Sequence, residues 1–258
     1  AVDQVDQTVV IVGGGFTGIE LAAEMRNRIE RHGGRDQAAA ARVIVVEQAG
    51  AVGPDLGPGP RPVIEEALKK AGVEVRLGAT VHRVDARGVD LADGERIDAR
   101  TVIVTAGPVA NPLAQSLAGD RDSAGRLLVD DMLRVGGVDG IFAAGDIAHA
   151  RVDAEGHVAL MSCQHAMTMG RFAGHNAARD LIGLALTPYR QERYVTCLDL
   201  GPAGAVRTEG WDRRVIESGD AAKAVKRDIN SVRIYPPTGD RATILAAAAP
   251  IAVRPAAD

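Results

Sequence analysis

The first 107 residues alternate between short apolar runs and segments with one apolar face. The run "TVVIV" (8–12) predicts a strand buried on both faces, and residues 42–47, "RVIVVE", predict a second. Residues 16–32 carry an apolar stripe at helical spacing, and residues 60–71 predict a helix that begins near two prolines and ends before Gly72. This alternation of strand and helix is typical of a parallel α/β sheet.

The pattern then changes to strand spacing. Residues 73–78 predict a strand, residues 80–97 a small antiparallel meander around an "ADGE" turn, and residues 101–107 a strand that returns to the sheet. The first 107 residues are therefore predicted to form one domain.

Two further segments follow. Residues 108–186 are predicted to hold strands at 127–135 and 140–148 and a helix near 162–182. Residues 187–258 predict an α+β segment with a helix near 220–230, and the proline- and alanine-rich last twenty residues predict disorder.

A glycine-rich turn joins the first strand to the first helix. Gly13, Gly15 and Gly18 have the G-x-G-x-x-G spacing, and Gly14, Phe16 and Thr17 complete the turn. The first glycine permits the tight turn, the second lets a pyrophosphate approach, and the third lets helix and strand pack closely. In a strand–turn–helix context this predicts a Rossmann-like dinucleotide site, with phosphates on the helix N-terminus.

Two acidic residues are candidates for cofactor contacts. Glu47 ends the second strand, where a carboxylate can bind the adenosine ribose and would repel a 2′-phosphate, which favours NAD over NADP. Glu20 lies near the start of the first helix, and we predict that it contacts the nicotinamide end. The alternatives are a solvated strand-end Glu47 and a Glu20 that only complements the helix dipole.

Composition narrows the class of protein. Net charge is −4 in 258 residues, so nothing global suggests nucleic-acid binding. Cys163 and Cys197 form no CxxC pair, and His149, His157 and His175 lack metal-ligand spacing, so we predict no metal. Two cysteines rule out a disulfide framework, which favours a reducing compartment. No leader or membrane span is visible, and we expect a cytoplasmic location.

Several motifs together carry a family resemblance. "VVIVGGGFTGIELAAEM", "ARVIVVEQAG", "GIFAAGDIAH" and "YVTCLDLGPAGAVRTEGW" make residues 8–235 resemble the type II NADH dehydrogenases of the pyridine nucleotide-disulfide oxidoreductase superfamily. The resemblance implies that the chain binds NAD(H) and FAD and passes hydride from NADH to FAD, then electrons to a quinone. It also implies that the turn at 13–18 is the family's second glycine turn, so the chain matches the C-terminal part, with only part of an FAD-binding domain at 108–186.

The resemblance assigns further residues to the flavin. Gly145 and Asp146 match the strand end that binds the ribityl and pyrophosphate region, and Ala106 and Gly107 match the turn that leads out of the NAD domain. The start of the helix at 161–183, including Cys163, is expected to face the flavin ring.

The same helix carries the residues expected beside the quinone. Gln164 matches the first of two family glutamines, whereas Thr168 stands at the second. His165 replaces a small residue; it is either a proton donor to the quinone or a histidine with a structural partner.

Other readings remain open at this point. The chain is either part of the flavoenzyme or an isolated NAD-binding module, and a sulfide:quinone oxidoreductase is a third possibility if Cys163 and Cys197 are a redox pair. Lys223, Lys226 and Arg227 either touch anionic lipid, as in a peripheral membrane protein, or form a solvated face. We expect a homodimer, because a partial flavin domain leaves sheet edge and apolar surface uncovered.

Overall fold

The computed structural model describes residues 4–250 and divides into two compact units. The first unit combines the chain up to Gly107 with Val195–Ile229, and the second combines Pro108–Tyr194 with the chain from Asn230. The segment predicted at 187–258 is therefore shared between the two units.

The first unit is built on a four-stranded parallel sheet. The strands are β1 (Thr8–Val12), β2 (Arg42–Glu47), β3 (Val73–Leu77) and, after the three strands of the meander, β7 (Thr101–Val104). Their spatial order is β3-β2-β1-β7, and every neighbouring pair is parallel. The helices of this part are α1 (Phe16–Gly33), α2 (Arg35–Ala40) and α3 (Arg61–Lys70). The predicted α/β fold with a parallel sheet is confirmed.

The sheet is buried on both faces because alternate residues of β1 point to different partners. Val9 and Ile11 pack with α1 and α3, whereas Val10 packs with Val89 and Ile97 of the meander. The meander consists of β4 (Val81–Asp85), β5 (Gly88–Leu91) and β6 (Arg96–Asp98), paired antiparallel in that order. Continuous valine and isoleucine in β1 and β2 thus reflects two covered faces.

A second, antiparallel sheet belongs to the same unit. It comprises β10 (Val195–Asp199), β11 (Ala205–Glu209) and β12 (Arg214–Gly219), and it is followed by α5 (Asp220–Asp228). Leu198, Leu200 and Val206 share one hydrophobic cluster with the α1 side of the parallel sheet. This common core is why the C-terminal sheet joins the first unit.

The second unit has little sheet. The strand predicted at 127–135 is wrong beyond β8 (Leu127–Leu128), because Asp130 forms a turn: its side chain accepts hydrogen bonds from the amides of Met132 and Arg134. Leu133 has φ 66° within this turn.

The strand predicted at 140–148 is likewise reduced. It keeps only a bridge between Arg134 and Phe142 and the short β9 (Ala148–His149), which pairs with β8.

Two helices complete the second unit. The predicted helix near 162–182 is present as α4 (Cys163–Leu181). A short α6 (Arg241–Ala247) forms where disorder was predicted, because Asp240 caps it by accepting a hydrogen bond from the amide of Thr243. The rest of that prediction, residues 251–258, lies outside the described residues. Among residues 4–250, no helix has the length and apolar composition needed to cross a membrane.

Candidate dinucleotide and flavin sites

The three glycines of the first turn have different surroundings. Gly13 has φ +107°, and a Cβ there would lie 2.6 Å from the carbonyl oxygen of Thr105. A Cβ on Gly18 would lie 1.9 Å from the carbonyl oxygen of Gly13, so only glycine lets helix and strand approach this closely. A Cβ on Gly15 would have nothing within 4 Å, which leaves an open cradle at this point.

The open glycine is also the N-cap of α1. Its backbone is extended, and among the described residues no side chain caps the helix. Phe16, Thr17 and Gly18 form the first turn, whose amides have no acceptor within the helix itself. Backbone donors and the helix dipole therefore converge beside the open cradle, which is the arrangement that binds phosphate.

Thr105, whose role was not predicted from the sequence, binds the turn from the end of the neighbouring strand β7. Its hydroxyl lies 3.1 Å from the carbonyl oxygen of Val12 and 2.9 Å from that of Gly13. Its position directly before Ala106 and Gly107 in "TVIVTAG" was the available signal. Ala106 and Gly107 are exposed, and Gly107 has φ +92° with open space where a Cβ would be.

Glu47 lies against the glycine turn. Its two carboxylate oxygens accept hydrogen bonds from the amides of Gly14 and Ala49, each at 2.7 Å, and the residue is 6% exposed. The carboxylate is therefore held in place and not freely solvated, which argues against the solvated alternative. Such an oriented acceptor beside a phosphate cradle suits a ribose diol.

Glu20 has partners in the C-terminal sheet. Its carboxylate lies 2.7 Å from the ammonium of Lys226 and accepts a hydrogen bond of 2.8 Å from the amide of Asp199. The Lys226 ammonium also lies 5.2 Å from the centre of the Phe16 ring. Glu20 thus joins α1 to α5 and β10, which neither sequence interpretation anticipated.

The neighbouring lysine is engaged in the same way. Lys223 forms ion pairs with Glu24 and Asp199, and its side chain is 13% exposed. The interpretation of Lys223 and Lys226 as a lipid-binding or solvated face is therefore wrong, because both ammonium groups are buried against carboxylates. Arg227 is exposed.

In the second unit, the Gly145–Asp146 turn lies against α4. Gly145 has φ +76°, and a Cβ there would lie 3.6 Å from the Cβ of Ala166. Asp146 is exposed in this short 3-10 turn. A left-handed glycine followed by an accessible carboxylate leaves Asp146 free to accept hydrogen bonds from a ligand.

The candidate residues at the start of α4 differ in their exposure to solvent. Cys163 is exposed and Gln164 partly exposed, whereas His165 is fully buried. The Nδ1 atom of His165 lies 2.9 Å from the hydroxyl of Ser162, and its ring packs on Tyr194 with centroids 5.3 Å apart. This burial argues against direct contact between His165 and an acceptor and favours the structural alternative.

The residue at the second glutamine position turns inward. Thr168 is buried, and its hydroxyl donates a 3.1 Å hydrogen bond to the carbonyl of Gln164. Gln164 therefore has no second glutamine one turn further along α4.

The two cysteines differ in environment. Both thiols are free; Cys197 is buried beside Ala205 and Ala222, and burial raises the pKa of its thiol. A raised pKa disfavours the thiolate that redox chemistry needs.

A loop of the second unit brings together three side chains of the types that bind metal ions, which the sequence spacing did not predict. Polar atoms of Asp153, Glu155 and His157 lie within 4.8 Å of one another, although no metal-ligand spacing was recognised. The Nδ1 atom of His157 lies 2.7 Å from Asp153 Oδ2, so hydrogen bonding within the loop accounts for the arrangement.

Comparisons with known proteins place these sites in a family context. The pattern of the family described as pyridine nucleotide-disulphide oxidoreductase matches residues 1–170. An NADH dehydrogenase-like protein of Mycobacterium tuberculosis is 51% identical over 244 residues, which are 94% of this chain and 61% of that protein. A demethylphylloquinone reductase of Synechocystis sp. is 31% identical over 204 residues, covering 77% of this chain and 48% of the relative.

A solved structure agrees. An FAD-dependent pyridine nucleotide-disulphide oxidoreductase from Desulfovibrio vulgaris superposes with a TM-score of 0.60 at 27% identity, covering 79% of this chain and 49% of that one. The chain thus spans about three fifths of the Mycobacterium tuberculosis relative and about half of the other two proteins.

Proposed function

The chain belongs to the pyridine nucleotide-disulphide oxidoreductase family, as its motifs predicted, and we propose that it works in an NADH dehydrogenase-like flavoenzyme. In this proposal the first unit binds NADH and the second unit contributes part of an FAD site. A bound FAD would accept a hydride from NADH and would then pass two electrons, with protons, to a quinone-like acceptor. The protein's task is to bind and orient the cofactors, so no acid–base residue is required for hydride transfer.

The open cradle at Gly15 is the observation that carries the NADH part. Amides of the first turn of α1 would bind the pyrophosphate, and the carboxylate of Glu47 would accept hydrogen bonds from the adenosine ribose. Glu47 is already fixed by two amides at 2.7 Å, so little ordering is needed when the ribose binds. We propose NAD as the preferred dinucleotide, because the buried carboxylate would face a 2′-phosphate.

The flavin part rests on family membership and on the second unit. The Desulfovibrio vulgaris protein is described as FAD-dependent, and the exposed Asp146 after the left-handed Gly145 would accept hydrogen bonds from the ribityl chain. Cys163 and Gln164 begin α4, whose N-terminal dipole would stabilise negative charge on the ring. When bound, the flavin would supply the two-electron chemistry. Ala106 and Gly107 are the proposed exit from the NADH unit.

A quinone is the proposed acceptor. Relatives described as a demethylphylloquinone reductase and as type II NADH:quinone oxidoreductases support it. Gln164, at the accessible start of α4, is the proposed contact, and buried His165 would position this turn through Ser162. A quinone dissolves in lipid, so we propose a cytoplasmic location at the inner face of the membrane.

We further propose that the remaining part of the flavin site corresponds to the length of the relatives that this chain does not span. The chain covers 61% of its Mycobacterium tuberculosis relative.

We propose a homodimer for the working enzyme. An isolated NAD-binding module is the alternative, favoured by the compactness of the first unit. The sulfide alternative has no comparable support, since Cys197 is buried.

The experiment is to record the visible spectrum of the purified chain and then add NADH without oxygen. A yellow protein that bleaches supports the oxidoreductase. A colourless protein that binds NADH supports the isolated module, and a chain that binds neither compound contradicts the proposal. The matched control is the Gly15→Ala variant, which should bind NADH roughly tenfold to a hundredfold more weakly while keeping its fold.

A further inference from the structure

The loop that follows Glu47 closes over the glycine turn. Within residues 48–60, the amide of Gly53 donates a 2.8 Å hydrogen bond to the carbonyl of Gly14, and Val52 and Leu56 are buried. The amide of Gly14 in turn binds the carboxylate of Glu47. The amide of Gly14 is therefore bound by Glu47, and its carbonyl is bound by this loop.

The turn between β11 and β12 packs against the same loop. Arg213 is 7% exposed, and its Nη2 atom donates a 3.3 Å hydrogen bond to the carbonyl of Asp55. A Cβ on Gly59 would lie 2.7 Å from the carbonyl oxygen of Arg213, so the two backbones approach as closely as glycine allows. The packing of turn against loop leaves little room for either segment to shift alone.

The backbone of Arg213 is itself unusual. It has φ +58°, a left-handed conformation that costs an arginine about 1 kcal/mol. Such conformations persist where the surroundings determine them, and they are found preferentially near functional sites. Here the surroundings are the loop beside Glu47.

We propose that Arg213 is a positioning residue for dinucleotide binding. By holding Asp55 and Gly59, it fixes the loop whose Gly53 amide holds the glycine turn beside Glu47. The adenosine half of the dinucleotide is the half that depends on this contact. The inference rests on the proposed NADH site at Gly15 and extends it to a residue of the C-terminal sheet.

The test is calorimetric titration of ADP-ribose, which is NAD without its nicotinamide and keeps the adenosine and the pyrophosphate, into the 258-residue chain. Arg213→Asn removes the guanidinium but keeps a residue that tolerates the left-handed backbone. Loss of one hydrogen bond predicts about fivefold weaker binding under conditions where circular dichroism shows both proteins fully folded. The control is Arg214→Ala at the adjacent first residue of β12, which removes an equal charge from a surface ion pair with Glu209 and should bind like the wild type.

The outcomes separate the two proposals. If the wild type does not bind ADP-ribose, the NADH site itself is wrong. If the wild type binds and Arg213→Asn binds equally well, only the role of Arg213 is wrong.

A second measurement does not depend on the folding of a variant. The chain has one tryptophan, Trp211, two residues before Arg213. Its fluorescence should change when ADP-ribose binds to the wild type, and an unchanged emission spectrum on saturation overturns the coupling.

Discussion

Substitutions at Gly15 and Gly18 of the glycine turn should separate cofactor binding from the stability of the fold. Gly15 has φ −77° and ψ −168°, which alanine adopts freely, and its Cβ would have nothing within 4 Å. Gly15→Ala should therefore leave the folded protein intact and raise its stability by roughly 0.5 kcal/mol, because the unfolded chain loses freedom. At Gly18 the Cβ would lie 1.9 Å from a carbonyl oxygen, so Gly18→Ala must displace α1 from β1.

The magnitudes follow from these distances. Displacing a pyrophosphate from the amides of α1 forfeits at least one charge-assisted hydrogen bond, about 1.5–3 kcal/mol, so Gly15→Ala should bind NADH roughly tenfold to a hundredfold more weakly. Gly18→Ala should lose about 1–3 kcal/mol or more of unfolding free energy, as overpacked cores do.

The assay pairs thermal unfolding with NADH titration for each variant. Gly170→Ala serves as control, since Gly170 lies inside α4 with open space around its Cβ position and should gain stability without affecting NADH. Equal NADH affinity in the wild type and Gly15→Ala would refute the assignment of this cradle to the pyrophosphate. A stable Gly18→Ala would refute the close-packing argument.

Three further changes have defined outcomes. Glu47→Gln keeps the shape but can satisfy only one of two amide donors, so NADH should bind roughly tenfold more weakly and NADPH should be disfavoured less, measured by fluorescence titration. Arg96→Met should return the pKa of Asp85 from about 2 towards its ordinary value, because hydrogen bonds from Arg96 hold it low. A carboxyl group whose pKa is lower in the folded protein than in the unfolded chain stabilises the fold above the unfolded pKa, and this stabilisation is lost as the pH falls through the folded-state pKa. The wild-type meander should therefore stay folded to lower pH than the variant, which carboxyl NMR can follow. Cys163 should react with a thiol reagent in the folded protein while buried Cys197 reacts only on unfolding, and equal rates would contradict the described burial.

The glycine turn could be predicted because its requirements are local. The spacing of Gly13, Gly15 and Gly18 follows from backbone geometry that neighbouring residues impose, and the structure gives each glycine a distinct physical reason. The continuous apolar runs of β1 and β2 indicate two buried faces in the same local way. The strand predicted at 127–135 was wrong for an equally local reason. The side chain of Asp130 accepts hydrogen bonds from two backbone amides, and the resulting turn ends the strand.

The role of Glu20 could not be predicted in this manner, because its partners come from the far end of the chain. The amide of Asp199 that binds Glu20 is 179 positions away, and Lys226 comes later still. Pattern and charge predicted that α5 has a basic face, whereas tertiary packing places both of its lysines against carboxylates of α1 and strand β10. A buried ammonium is tolerated only when it is paired, so Lys226 and Glu20 depend on each other. The helix that follows the glycine turn is thus anchored by residues that sequence periodicity assigns to a separate segment, and the predicted domain of residues 1–107 alone would leave Glu20 without its partner.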